Sequence, residues 1–302
     1  MKTKLMLIVA LVASLLVVPA QANSPKTLVI IDTAINTQLD WVKNALIDEA
    51  CFIEFGKCPN GQSSMTGPGA AHINPALVKD RALSHGTQMA SVAVATNPNI
   101  KFAFVRIAGM SSSGFANTYT TKAVAQALTW VRDNATRLNV GAVSISVGRA
   151  YREAACPVAA EPGLQQLIDG LAASNIPTVI AAGNNSIPTK VNYPACIPSA
   201  IAVGATDTPY TTGTVKGLVY PIMRISNGGS DLDLYALGRH TVTDINNVKS
   251  LALGTSAATA MTATRLASSL SDGSSLTATM DKVTASLQNA YFTTTNFVKK
   301  QW

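Results

Sequence analysis

Residues 27–32 read TLVIID, a threonine, four branched aliphatic residues and a closing aspartate. A strand with one wet face alternates apolar and polar residues. A continuous β-branched run of this length is what a strand buried on both faces needs. Working outward, KFAFVRI (101–107), VGAVSISVG (140–148), IPTVIAAGN (176–184) and SAIAVGA (199–205) repeat the pattern, each closed or soon followed by glycine or a polar residue. Helical periodicity fills the gaps: HGTQMASVAVAT (85–96) behind a Ser84 cap, NTYTTKAVAQALTWVRDNATRL (117–138), GLQQLIDGLAASN (163–175), TSAATAMTATRLASSL (255–270) and TATMDKVTASLQNAYF (277–292). Alternating strands and helices predict an α/β, three-layer fold with a mainly parallel central sheet and helices on both faces. In such sheets, ligand and catalytic groups gather beyond the carboxyl ends of the strands. The stretch 51–84, rich in Gly, Pro, Ser and Asn, reads as an irregular loop.

The chain of 302 residues opens with a positive start at Lys2 and Lys4, an apolar run from Leu5 to Val18, and the small-x-small triplet Ala20-Gln21-Ala22. This three-part pattern predicts a signal peptide over residues 1–22 and a secreted or periplasmic protein with no membrane contact after cleavage. Without those two lysines, 21 Lys and Arg face 16 Asp and Glu, a mild excess of +5. The charges are spread out and not interleaved with aromatics, which argues against a nucleic-acid partner. Four cysteines in an exported chain predict disulfides, and proximity favours Cys51 with Cys58 and Cys156 with Cys196. With no CxxC or paired histidines beside them, a metal site is not expected.

Four polar residues fall at element junctions: Asp32 ends the first strand, His85 stands in SHGTQMA ahead of a helix, Asn184 ends TVIAAGN, and Ser256 stands in GTSAATA. Singly, each has a plain structural reading as a turn or cap. Jointly they supply a hydroxyl nucleophile, a base near neutral pH, a carboxylate to orient that base, and an amide to hold a developing oxyanion. His72 lies in the irregular loop and His240 in LGRHTV, neither at such a junction.

The blocks VIIDTAIN, SHGTQMA, VSISVG with TVIAAGNN, and GTSAATA stand in the order found in subtilisin-like serine proteases, and the chain resembles that family over nearly all of its length beyond the signal. NYPACIPSAIAVGA (192–205) and ISNGGSDLDLYALG (225–238) are weaker matches. The resemblance implies a serine endopeptidase with catalytic Asp32, His85 and Ser256, an oxyanion hole at Asn184, and substrate-binding walls at Ser144, Ile145, Ser146, Val147 and Gly148 and at Ala181, Ala182 and Gly183. MSSSGFANTY (110–119) resembles the second strand that clamps an extended peptide.

These readings add up to a single peptidase domain over 23–302 with no N-terminal prodomain, acting as a monomer on polypeptide substrates, with no cofactor and no metal. Three positions depart from the family pattern, Ala34 and Ser84 where glycine is usual and Ala260 where proline is usual. They motivate an alternative, a subtilase-fold peptide-binding module with weak or lost activity. Arg149, at the cleft edge, suggests a preference for acidic or neutral substrate side chains. A nucleotide-binding α/β protein would need a glycine-rich loop after the first strand, and IDTAINTQ has no glycine.

Overall fold

Strand β1 (Thr27–Asp32) is buried along its whole length, and its side chains alternate between two cores: Leu28 and Ile30 on one face, Val29 and Ile31 on the other. That alternation makes it the centre of the fold in the computed structural model, which describes residues 25–151, 155–157, 161–211, 218–219, 221–270 and 275–281. The expected signal segment lies outside the described residues, as does the last expected helix beyond residue 281; residues 276–281 are helical.

The chain continues through α1 (Asp40–Ala45), β2 (Leu46–Phe52), β3 (Ser64–Thr66), α2 (His85–Thr96), β4 (Lys101–Arg106), α3 (Thr121–Asn134), β5 (Val140–Ile145) and α4 (Pro162–Ala173). It then forms β6 (Thr178–Ala181), β7 (Ile201–Thr206), a short pair β8 (Tyr210–Thr211) and β9 (Leu218–Val219), β10 (Leu234–Leu237), a hairpin β11 (Arg239–Thr243) and β12 (Lys249–Leu253), and α5 (Thr255–Leu270). The central sheet has eight strands in the order β10-β7-β6-β5-β1-β4-β2-β3, parallel except for β3. Strands β2 and β4 lie on one side of β1, while β5, β6, β7 and β10 lie on the other. The order therefore reverses at β1, and the carboxyl end of a strand at such a reversal is where α/β sheets open a crevice. Asp32 sits at that end.

Helices α2 and α5 cover one face, packing on Leu28, Ile30, Phe102 and Phe104; α3 and α4 cover the other, packing on Val29, Ile31, Ala103 and Val105. Helix α5 owes its depth to small residues. Ala258, Thr259, Ala260, Thr262, Ala263 and Thr264 are fully buried. A Cβ on Gly141 of β5 would come within 3.2 Å of the Ala267 backbone, so helix and sheet approach too closely for larger side chains. The hydroxyls of Thr262 and Thr264 donate to the carbonyls of Ala258 and Ala260 at 2.8 and 2.7 Å, which satisfies polar atoms inside the core without outside partners.

The stretch expected to be irregular over 51–84 holds more order than its composition suggests. Cys51 and Phe52 finish β2, residues 64–66 form β3, and 3-10 turns occupy Pro75–Leu77 and Arg81–Ser84. The second turn runs straight into α2, so Ser84 has helical backbone angles and makes no side-chain cap; its hydroxyl instead accepts from the Ile245 N–H at 3.1 Å.

Disulfides join Cys51 to Cys58 and Cys156 to Cys196, as proximity suggests. The second spans 40 residues of sequence. Cross-link entropy then makes it the stronger restraint on the unfolded chain, about 4 kcal/mol against about 2.4 for the first. Urea unfolding of a Cys156→Ala/Cys196→Ala protein is expected to show the larger loss, and of Cys51→Ala/Cys58→Ala the smaller.

Candidate active site

Four elements meet at the crevice above β1. Asp32 is fully buried at the strand end, where the Thr33 N–H donates to its Oδ1 at 2.7 Å and its carbonyl accepts from the Ile107 N–H, just past β4, at 3.0 Å. His85 opens α2, and its Nδ1 lies 2.8 Å from the same Oδ1. The helix reaches that depth because residue 86 is glycine: a Cβ there would lie 2.4 Å from the Ala34 carbonyl oxygen and 2.6 Å from the Phe104 ring. Asp32 Oδ2 is buried with no hydrogen-bond partner among the described residues. Burial of the His85 ring disfavours its cation, but the Asp32 charge and hydrogen bond act the other way, and together they raise its pKa above the ordinary 6.5. The side chain keeps 29% of its surface open to the cleft, which moderates the cost of charging it.

Across the cleft, Gly254 leads into α5 with φ +122°, a conformation that only glycine adopts without strain. A Cβ at this position would also press within 2.7 Å of the Asn184 amide. Thr255 and Ser256 follow in the first turn. The Ser256 hydroxyl is half-buried and donates to the Ser146 carbonyl at 3.2 Å, while the Ser146 hydroxyl donates back to the Ser256 carbonyl at 3.1 Å. Asn184, three residues past β6, is exposed to the cleft. Its Oδ1 accepts from both the N–H and the hydroxyl of Thr255, at 3.0 and 3.1 Å, and the Thr255 hydroxyl in turn accepts from the Gly183 N–H at 3.2 Å. With Oδ1 held twice, the NH2 edge of Asn184 is the one left to donate. The small stretch before the buried helix thus does three things: it turns the chain, presents a hydroxyl and orients an amide.

The cleft has a volume of about 270 Å³ and is lined by Thr33, Ala82, His85, Tyr119, Ser146, Val147, Gly148, Ala181, Gly183, Asn184, Asn192, Thr255 and Ser256. Asp32 lies beneath it. Of the expected substrate walls, Ser146, Val147, Gly148, Ala181 and Gly183 reach it. Ser144, Ile145 and Ala182 do not: Ser144 and Ile145 are fully buried inside β5 between β1 and β6, and Ala182 is fully buried behind the wall. The chain emerges from β5 into the cleft only at Ser146, two residues later than the block match suggests. The Tyr119 hydroxyl donates to the Gly148 carbonyl at 2.7 Å and accepts from the Gly148 N–H at 3.1 Å, fixing the outer end of this wall.

His72 and His240 stay outside the cleft; His72 Nδ1 meets the Thr37 hydroxyl at 3.0 Å and His240 Nε2 donates to the Leu237 carbonyl at 2.8 Å. Arg149 is paired with Glu161 at 3.4 Å and stacked 5.0 Å from the Tyr193 ring centre. Glu161 takes part of that charge, which would weaken an attraction for acidic substrate side chains. Ala34, Ser84 and Ala260 are all buried behind the cleft, and none lines it.

Thr255 is given no role of its own by the sequence beyond its place in GTSAATA. Its two bonds to Asn184 make it a positioning residue. Thr255→Val keeps the N–H contact and removes the hydroxyl, so kcat is expected to fall about 10-fold, the scale of one hydrogen bond. KM is expected to change less than kcat. Steady-state kinetics separates the two parameters.

A model of Peptidase_S8, the subtilase family, matches residues 26–300, and the chain belongs to that family. Among curated proteins it is 29% identical over 163 residues to alkaline elastase YaB of Bacillus sp. (strain YaB), a match covering 51% of this chain and 36% of that protein. The S41 psychrophilic protease superposes with a TM-score of 0.65 at 18% identity, covering 86% of this chain and 82% of that one. A cold adapted subtilisin-like serine proteinase gives 0.59 at 22%, covering 86% and 81%, and sphericase gives 0.63 at 18%, covering 86% and 84%. At these identities the solved structures speak for the fold.

Proposed function

We propose that the chain is an exported serine endopeptidase in which Asp32, His85 and Ser256 form the catalytic triad and Asn184 donates to the oxyanion. The observation that carries this reading is the 2.8 Å Asp32–His85 pair opening onto the cleft that Ser256 and Asn184 also line. Substrate carbonyl carbon is attacked by Ser256 Oγ as His85 Nε2 takes the hydroxyl proton. The Ser256 hydroxyl must first turn from the Ser146 carbonyl, and such bonds commonly tighten only with substrate present. The oxygen that gains the electron pair faces the Asn184 NH2 edge. His85 then gives its proton to the departing amine, the peptide bond breaks, and an acyl group remains on Ser256. Water enters, loses a proton to His85 and releases the acid, restoring the hydroxyl. Asp32 holds the imidazole by Nδ1 throughout, which leaves Nε2 as the nitrogen facing the serine.

Residues 146–148 offer the wall along which an extended peptide lies. The two disulfides support an oxidising location, consistent with residues 1–22 as a removable export signal. The test is digestion of an unstructured protein by the purified chain, with cut sites read by mass spectrometry. New termini with the wild type and none with Ser256→Ala support the proposal. Intact substrate in both, with the peptide retained on the protein, would favour the binding-module alternative.

A further inference from the structure

We infer that Asn192 is the floor of the pocket beside Ser256 and restricts this enzyme to peptides with a small side chain, that of glycine, alanine or serine, on the residue whose carbonyl is attacked. The inference rests on the triad reading above, because that reading fixes where the carbonyl sits. With the carbon at Ser256 Oγ and the oxygen toward Asn184, the adjoining side chain enters the space between the wall of Val147 and Gly148 and the wall of Ala181 and Gly183.

Asn192 stands between those walls. A Cβ on Gly183 would lie 2.4 Å from its Nδ2, and a Cβ on Gly148 would lie 3.5 Å from its Cβ. The side chain therefore touches both glycines whose missing side chains create the pocket. Space that two glycines open, one asparagine fills.

Asn192 cannot easily swing aside. It is 8% exposed. Its Nδ2 donates to Asn185 Oδ1 at 2.9 Å, its Oδ1 accepts from Asn227 Nδ2 at 3.0 Å, and its backbone N–H donates to the Ala182 carbonyl at 2.7 Å. Asn227 is 1% exposed, and its own Oδ1 accepts from the N–H groups of Asn185 and Ile187 at 3.0 and 3.1 Å. Rotating Asn192 outward would strand the buried Asn227 amide, and leaving a buried donor unpaired is costly. A large aromatic or aliphatic group has to break the amide network or stay outside.

The test is kcat/KM on a peptide series differing only at the residue before the scissile bond: Gly, Ala, Ser, Leu and Phe. Wild type is expected to favour Ala over Phe by at least about 10-fold, the scale of one or two misfit methylenes. Asn192→Gly is expected to raise the Leu-to-Ala and Phe-to-Ala ratios of kcat/KM by about 10-fold or more, whatever happens to the rates themselves. Asn192→Ser, which keeps a hydroxyl for Asn227, should shift the profile the same way by less and serves if the glycine protein folds poorly. Wild type that cleaves after Phe or Leu as well as after Ala overturns the inference. So does a folded Asn192→Gly with an unchanged profile. Binding of Ala-ended and Phe-ended product peptides to Ser256→Ala, by calorimetry, reads the pocket without cleavage. If no peptide is cut yet Ala-ended peptides bind at least about 10-fold tighter, the pocket stands and the catalytic proposal fails; equal or tighter binding of Phe-ended peptides sinks the pocket.

Discussion

Ser256→Ala is expected to lower kcat on a cleaved peptide by on the order of 10⁶-fold, because the proposed nucleophile and its base act as one unit. At about 1.36 kcal/mol per decade this is about 8 kcal/mol of transition-state stabilisation. His85→Ala should cost about as much, and the double variant little more than either, since neither group does the chemistry alone. Stability should barely move. Ser256 is half-buried, its hydroxyl makes one bond to the Ser146 carbonyl, and α5 tolerates alanine at its neighbours Ala257 and Ala258. Residual activity has a source, the Asn184 amide and the cleft, which remain in place. Additive losses in the double variant would mean that the two residues do not form a unit.

Asp32→Asn is the second large effect, about 10⁴-fold in kcat at neutral pH. An amide at residue 32 can offer an N–H to His85 Nδ1, and the imidazole then carries its proton on Nε2, the nitrogen that has to accept from Ser256. The pH profile adds a sign. The Asp32 charge holds the His85 pKa above 6.5 against the cost of burial. Catalysis needs the neutral ring, so wild-type kcat/KM should fall as pH drops through a midpoint above 6.5. In Asp32→Asn that midpoint should move down, because burial then acts without the carboxylate opposing it. The linked stability runs the opposite way. A raised histidine pKa contributes stability below the unfolded value that is lost as pH rises through the folded one. Wild type should therefore lose this contribution across that window, and Asp32→Asn should not show it. An acid limb at the same pH in both proteins would separate Asp32 from His85 function.

The parts legible in the sequence are those whose signal is local. β1 and β4 are buried on both faces, and their apolar runs announce it; α2 and α5 begin and end at the residues their periodicity marks. Strand β2, LIDEACF, carries Asp48 and Glu49 and is buried only in its second half, so no pattern of period two or continuous burial marks it. It is a strand because β4 is there to pair with it. Glu49 shows the same dependence on distant chain: its carboxylate accepts from the N–H groups of Gly69 and Ala71, about twenty residues on. Helix α1 spans six residues, too few for a periodic signal.

The candidate site divides in the same way. Asp32, His85, Asn184 and Ser256 stand out because each lies at, or within three residues of, the end of an element. The groups that orient them do not stand out. The role of Thr255 emerges only when Asn184, 71 residues away, is beside it, and Asn192 becomes a floor only between Gly148 and Gly183 with Asn227 behind it. Ser144 and Ile145 illustrate the reverse case, in which a sequence block begins before the strand reaches the cleft.

The most direct test of the account is labelling with a fluorophosphonate, which reacts only with a serine hydroxyl whose proton a neighbour removes. Mass spectrometry of the wild-type chain at pH 8 should locate a single adduct on Ser256, with labelling lost in His85→Ala and falling in wild type as pH drops through the His85 titration. An unlabelled Ser256 in folded wild-type protein, or labelling that persists undiminished without His85, would contradict it.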